Sequence, residues 1–156
     1  MNVATIGVHG WTADAFLDAL RTANVGRVLD VRQRRGVRGS EYAWANSQRL
    51  QALLAEAGIE YRHHPDLAPT TELRRLQYEH DERTGVGKRS RSALAPSYRS
   101  RYEREILDRV DLGPIVAELP GALLCVEREP EACHRSLIAE RLASEHGVSV
   151  SHLRPR

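Results

Sequence analysis

Apolar and polar positions along the 156-residue chain alternate between two periods. "NVATIGV" near the start is a short β-branched run, and after Gly7 and Gly10 it gives way to "ADAFLDALRTANV", where Phe16, Leu17 and Leu20 recur at helical spacing. With Thr12 as N-cap, this predicts strand, loop, helix. "GRVLDVR" predicts a second strand. "SQRLQALLAEAG" predicts a helix with Leu50, Leu53 and Leu54 on one stripe, closed by Gly58. "IEYRHH" reads as a third strand. The segment "PSYRSRYEREILDRVDLGPIVAELPG" is helical in two pieces, broken at Gly113 and Pro114. It is followed by the all-apolar strand "ALLCVE", by the capped helix "CHRSLIAERLASEHG" ending at Gly147, and by a last strand, "VSVSHL".

Strands alternate with helices, and at least two strands lack the apolar-polar alternation of a half-exposed sheet. The expected architecture is therefore α/β: one domain over residues 1–156, with a mainly parallel β-sheet flanked by helices in a Rossmann-like, three-layer arrangement. The stretch from Pro65 to Pro96 fits this least well. It is polar and basic, and although "TTELRRLQYEHDERTG" carries a helical run ending at Gly85, a loop or lid-like insertion is expected around residues 65–100. No internal repeat and no low-complexity tract is present.

Composition narrows the class. Hydrophobic residues make up 41% and charged residues 28% of the chain, and no apolar run approaches the roughly 18–20 residues of a membrane helix. "MNVATIGVHGW" has neither the basic nor the long apolar region of a secretory signal, so a cytoplasmic location, with no membrane partner, is expected. In that compartment Cys125 and Cys133 should remain thiols. A formal net charge of +2 is too small to imply nucleic acid by itself. Local charge adds more: from Arg83 to Arg104 the chain carries a run of arginines with tyrosines interleaved. Lys88, Arg89, Arg91, Tyr98, Arg99 and Tyr102 are candidate nucleic-acid-binding residues, the alternative being a solvated loop and helix face.

In open α/β sheets ligands bind off the carboxyl ends of the strands, which selects four loops. The first holds His9 between two glycines and the flat face of Trp11. The second holds Asp30, a carboxylate inside an apolar strand that needs a partner, with Arg32 on the same face. The two either form a structural bridge or both point into a site. Arg34, Arg35 and Arg38 follow. The third holds His63, His64 and Asp66; adjacent histidines point to opposite faces, so at most one should face a site. The fourth, "CVEREPEACHRS", places Cys125 in the strand as an expected core residue and Glu127 at its carboxyl end. Cys133, His134 and Arg135 open a helix there. Backbone N–H groups of a first helical turn favour an anion, which Arg135 would bind bidentately, and they lower the pKa of a cysteine such as Cys133. Cys125, Cys133 and His134 are metal-ligand types without the compact spacing of a zinc knuckle, so neither metal nor cofactor is expected.

On these residues the chain resembles the domain-of-unknown-function 488 family. "TIGVHGW", "VLDVR", "LLAEAGIEYRHHPDLAPTTELR", "ALLCVEREPEACHRSLIAERL" and "GVSVSHL" carry the resemblance over nearly the whole chain. It implies a cytosolic α/β domain and names no activity. The chain departs from the family pattern at "QRRGVRGSEYAW" and at "LAP", so the second loop is expected to be reshaped. A more local similarity, to rhodanese-like domains, covers only the Asp-Val-Arg at a strand end and a cysteine with an arginine before a helix.

These features lead to one expected function and two alternatives. The first is an enzyme, hydrolase or transferase, acting on a phosphate-bearing small molecule or nucleic acid. In it His9, Glu127 and Cys133 are the candidate catalytic residues, and Trp11, Arg32, His134 and Arg135 bind substrate. The alternatives are a thiol enzyme with Cys133 as nucleophile and a non-catalytic nucleic-acid-binding module. The oligomeric state is left open.

Overall fold

The computed structural model describes residues 1–87 and 90–156. Two of the candidate nucleic-acid contacts, Lys88 and Arg89, lie outside the described residues. Five strands, β1 (Asn2–Ile6), β2 (Arg27–Asp30), β3 (Glu60–His63), β4 (Gly121–Leu124) and β5 (Ser149–Leu153), form one sheet in the order β3-β2-β4-β1-β5. Every neighbouring pair is parallel, as the strand-helix alternation predicted. The central strands β1, β2 and β4 are almost wholly buried, whereas the edge strands β3 and β5 alternate. This is why only the edges show a period-two pattern.

The helices are α1 (Ala13–Thr22), α2 (Ser47–Glu56), α3 (Thr71–Thr84), α4 (Pro96–Tyr102), α5 (Gly113–Ala117) and α6 (His134–His146). Side chains alternate across the sheet into two cores. Ala4, Ile6, Val28, Ala122 and Leu124 pack with Phe16, Leu17 and Leu20 of α1 and with Leu50 and Leu54 of α2. On the opposite face, Val3, Leu29 and Leu123 pack with Tyr98 and Tyr102 of α4 and with Leu137, Ile138 and Leu142 of α6. The connections β1→β2 and β2→β3 run one way along the sheet through α1 and α2. Those from β3 to β4 and from β4 to β5 return through α3–α6 on the other face, as crossovers of a single hand require. The chain thus reverses direction between adjacent strands β2 and β4, and a crevice opens at their carboxyl ends.

Local signals hold where they were specific. Thr12 caps α1 by accepting from the Ala15 N–H, Gly58 and Gly147 adopt positive φ after α2 and α6, and Gly113-Pro114 starts α5. The expectation for residues 65–100 is corrected in one respect. Instead of a lid-like loop, most of the segment is α3 and α4, and it is bound to the body by buried polar residues. Gln77 and Asp81 follow Leu73 at successive i+4 positions on the inward face of α3; the helix is so polar overall that this stripe is easily taken for surface. Asp81 accepts from Arg91 Nε and Nη2 at 2.9 and 2.7 Å and Gln77 accepts from the Ala95 N–H, while Arg91 Nη1 and the Leu94 N–H reach the body at the Ala132 and Glu131 carbonyls.

The loops after β1 and β4 are joined directly. The Val126 carbonyl accepts from the N–H groups of both Val8 and His9, and a Cβ built on Gly7 would lie 1.8 Å from the Glu127 carbonyl oxygen. Because that obstacle is backbone, Gly7→Ala should displace one loop and cost about 1–3 kcal/mol. Urea denaturation checks this as a lowered midpoint at unchanged slope.

Candidate functional site

At the carboxyl ends of β2 and β4 lies a cavity of about 520 Å³ whose walls include His9, Arg34, Arg38, Arg74, Glu127 and Cys133. Its framework starts in the loop after β2. Asp30, fully buried, accepts from Arg32 Nε at 2.9 Å and Nη2 at 2.9 Å and from the Arg32 N–H at 3.1 Å. Tyr61 donates its hydroxyl to the same carboxylate at 2.5 Å. Arg32 uses Nη1 on the Ala45 carbonyl. Of the two roles considered for this pair, the bridge is what forms. Arg32 touches the cavity, yet its charge is already balanced by Asp30.

The bridge bends the chain so that Val31, one residue past β2, donates its N–H to the Leu124 carbonyl and turns its own carbonyl to His134. His134 Nε2 lies 2.8 Å from that oxygen. A carbonyl only accepts, so Nε2 carries the proton and Nδ1 presents a lone pair when the ring is neutral. Nδ1 faces Cys125 Sγ at 3.6 Å and Cys133 Sγ at 3.7 Å. The Cys125 thiol donates to Glu127 Oε2 at 3.1 Å, and Glu127 Oε1 lies 3.6 Å from Arg91 Nη1. Burial, followed by the adjacent Cys133 and Glu127, pushes the Cys125 thiol well above its usual pKa. Cys125, Cys133 and His134 each offer one ligand atom, all within 4.8 Å of one another.

Several expected roles are corrected by these positions. Cys125 lies one residue past β4 and is buried, as expected of a core residue, and its sulfur also lines the cavity floor. Arg135 does not reach toward a bound anion: it is fully buried and donates to the carbonyls of Glu127 and Arg128 at 2.7 and 3.1 Å. A buried guanidinium must place its N–H groups on acceptors, and the loop's own carbonyls are in reach. Trp11 faces a separate groove with His152 and Arg154. His63 approaches the Arg32 carbonyl and His64 approaches Glu118, so neither lines the cavity.

The basic, aromatic surface expected between Arg83 and Arg104 does not form as such. Tyr98 and Tyr102 are buried in the core with their rings stacked, and Tyr102 donates to the Leu67 carbonyl. Burial raises the pKa of both hydroxyls. Arg91 is buried on Asp81 and the Ala132 carbonyl. Among the described candidate contacts Arg99 is the exposed one, paired with Glu140 and Glu103; Arg83 and Arg104, at the ends of the stretch, are exposed as well.

A family model described as domain of unknown function DUF488 matches residues 12–142. The chain belongs to that family. No curated protein and no solved structure matches it. The DUF488 match takes in α1 through most of α6, and hence Asp30, Arg32, Cys125, Glu127, Cys133 and His134 together; His9 and Trp11 precede it. No activity comes with the DUF488 description.

Sequence reasoning passed over Asp81, Gln77, Arg74 and Gln33. Arg74 donates to the Gln33 side chain and to the Tyr78 hydroxyl on the cavity wall. The available signal was the spacing of Gln77 and Asp81 behind Leu73. In this DUF488 chain the buried bridge is testable by itself: Asp30→Ala, which strands the Arg32 guanidinium, should cost about 3–5 kcal/mol. Joint replacement Asp30→Leu with Arg32→Met should cost less. Chemical denaturation of the two variants checks the order, and a cost below about 1 kcal/mol for Asp30→Ala contradicts the anchoring role.

Proposed function

We propose that the protein is an enzyme, a hydrolase or transferase, whose cleft between β2 and β4 takes a phosphate-bearing substrate, a nucleotide or a nucleic acid. What carries the reading is the convergence of a basic rim and an acid–base floor on one cavity. Arg32 and Arg91 are paired with Asp30 and Asp81; Arg34, Arg38 and Arg74 are the other cationic side chains of the lining, and Glu127 is its carboxylate. Arg34 is exposed and, among the described residues, forms no ion pair. Such a rim draws anions in and holds phosphate oxygens through charge-assisted hydrogen bonds. At the floor, His9 and Glu127 are the acid–base pair, with Cys133 beside them. The free thiols suit a reducing compartment such as the cytoplasm.

A thiol-dependent variant has a specific observation in its favour, the His134 Nδ1 lone pair facing both sulfurs. In it Cys133 Sγ is the nucleophile and His134 takes its proton. The non-catalytic binding module loses support, because the tyrosines it needs for stacking are buried.

Ligand-induced stabilisation tests the reading. At about a hundred times its Kd, a bound phosphate compound stabilises the fold by about 2.7 kcal/mol, a rise in Tm of roughly 5–10 °C for a chain of this size. Pyrophosphate, a nucleoside triphosphate and a short single-stranded oligonucleotide are the probes. At least one should raise Tm, the rise should shrink with added salt, and the double variant Arg34→Ala/Arg38→Ala should abolish it. Absence of any rise at low salt, or an equal rise in the double variant, contradicts the proposal.

A further inference from the structure

We propose that Cys125 Sγ, Cys133 Sγ and His134 Nδ1 form a binding site for one divalent cation of the zinc class, with the fourth coordination position open to the cleft. The inference goes beyond the phosphate-substrate reading and does not rest on it.

Zinc binds sulfur at about 2.3 Å and histidine nitrogen at about 2.0–2.1 Å. In a tetrahedron those bonds put sulfur and nitrogen about 3.5–3.6 Å apart and the two sulfurs about 3.8 Å apart. The two S–N separations are 3.6 and 3.7 Å, and all three donors lie within 4.8 Å of one another. The S–N separations already match, and the two sulfurs, within 4.8 Å of each other, need to close by at most about 1 Å, within reach of side-chain rotation. Sequence spacing concealed the site: Cys125 follows a strand and Cys133-His134 opens a helix, with the Pro130–Ala132 turn folding one onto the other.

The outer partners point the same way. Metal-binding histidines usually donate their other ring N–H to a carbonyl or carboxylate, which fixes the tautomer and aims the lone pair. His134 does this with the Val31 carbonyl at 2.8 Å, and Val31 is held by the Asp30–Arg32 bridge. The Tyr102 ring packs against His134 with centroids 5.5 Å apart, which limits its rotation. Glu127, which accepts from the Cys125 thiol, gives up that hydrogen bond when the proton leaves and keeps Arg91 Nη1 at 3.6 Å from its other oxygen.

Charge also balances. On binding, each cysteine gives up its thiol proton to solvent and its sulfur forms a bond to the ion, so two protons leave as one doubly charged cation enters. The pair of thiolates cancels the ion's charge, which is what a buried site with a soft donor set requires. Three protein ligands leave one tetrahedral position. Because all three residues line the cavity, that position is open to water or to an anionic group in the cleft.

The test uses the full chain, reduced and stripped of metal with a chelator, and cobalt(II) as the spectroscopic probe. The expected result is thiolate-to-metal charge transfer with the intense visible bands of a tetrahedral centre, saturating at one ion per chain and displaced by zinc. Cys125→Ser and Cys133→Ser each diminish the charge transfer, and His134→Gln weakens cobalt binding more than about a hundredfold. His146→Gln, on the exposed end of α6, leaves it unchanged. Zinc should also block alkylation of both cysteines by iodoacetamide in the wild-type chain. A wild-type chain that gives no such spectrum, or a spectrum indifferent to both serine variants, overturns the proposal; the wild-type spectrum and zinc protection decide it even if a variant fails to fold. Cys133 alkylated equally fast with and without zinc overturns it in favour of the nucleophile role. The phosphate probes are read separately by Tm, so either idea can fail without the other.

Discussion

The buried ion pair between Asp30 and Arg32 is the interaction on which the rest of the site hangs. A carboxylate and a guanidinium removed from water each cost several kcal/mol, and the arrangement survives because every strong acceptor and donor finds a partner: Tyr61 and the Arg32 N–H on one side, the Ala45 carbonyl on the other. The effect is positional more than stabilising. It fixes how the chain leaves β2, which sets the direction of the Val31 carbonyl and, through it, the ring orientation of His134 at the start of α6. Two loops that are far apart in sequence are thereby made one site.

A second linkage works in parallel. The loops after β1 and β4 share the Val126 carbonyl and approach so closely at Gly7 that no side chain fits there. Arg135 adds a cross-link from α6 back to the carbonyls of the β4 loop. The guanidinium that looked suited to an anionic ligand is consumed in holding backbone. The rim arginines are less buried: Arg34 is exposed, and Arg74 donates to neutral partners, Gln33 and Tyr78. The same physics disposes of the interleaved tyrosines: α4 needs an apolar face against the sheet, and Tyr98 and Tyr102, four apart, supply it.

The floor of the cavity is therefore chemically unlike its rim. Inside, two thiols, an imidazole and a carboxylate are buried at close contact distances; outside, cations dominate. Interactions between charges strengthen as the dielectric falls, so a group entering from the rim meets increasing electrostatic force with depth. The crevice exists because the connections from β2 and β4 leave in opposite directions, a property of the strand order and not of any residue in the site.

By itself the sequence determined the elements. Apolar periodicity, the Thr12 cap and the glycines after α2 and α6 are local signals, each acting within a few residues, and they are enough to predict the strands, most of the helices and a parallel sheet. They also marked the right loops and the need for a partner to Asp30. What only the tertiary structure decided is which of those polar groups meet. Whether Arg32 and Arg135 bind a ligand or the protein, whether Tyr98 stacks on a base or on Tyr102, and whether the buried Cys125 also meets the cleft all depend on approaches across tens of residues. Residue type is the same in either case, since a guanidinium satisfies its donors equally well on a phosphate or a carbonyl. Only the folded chain selects which acceptor is near enough to win.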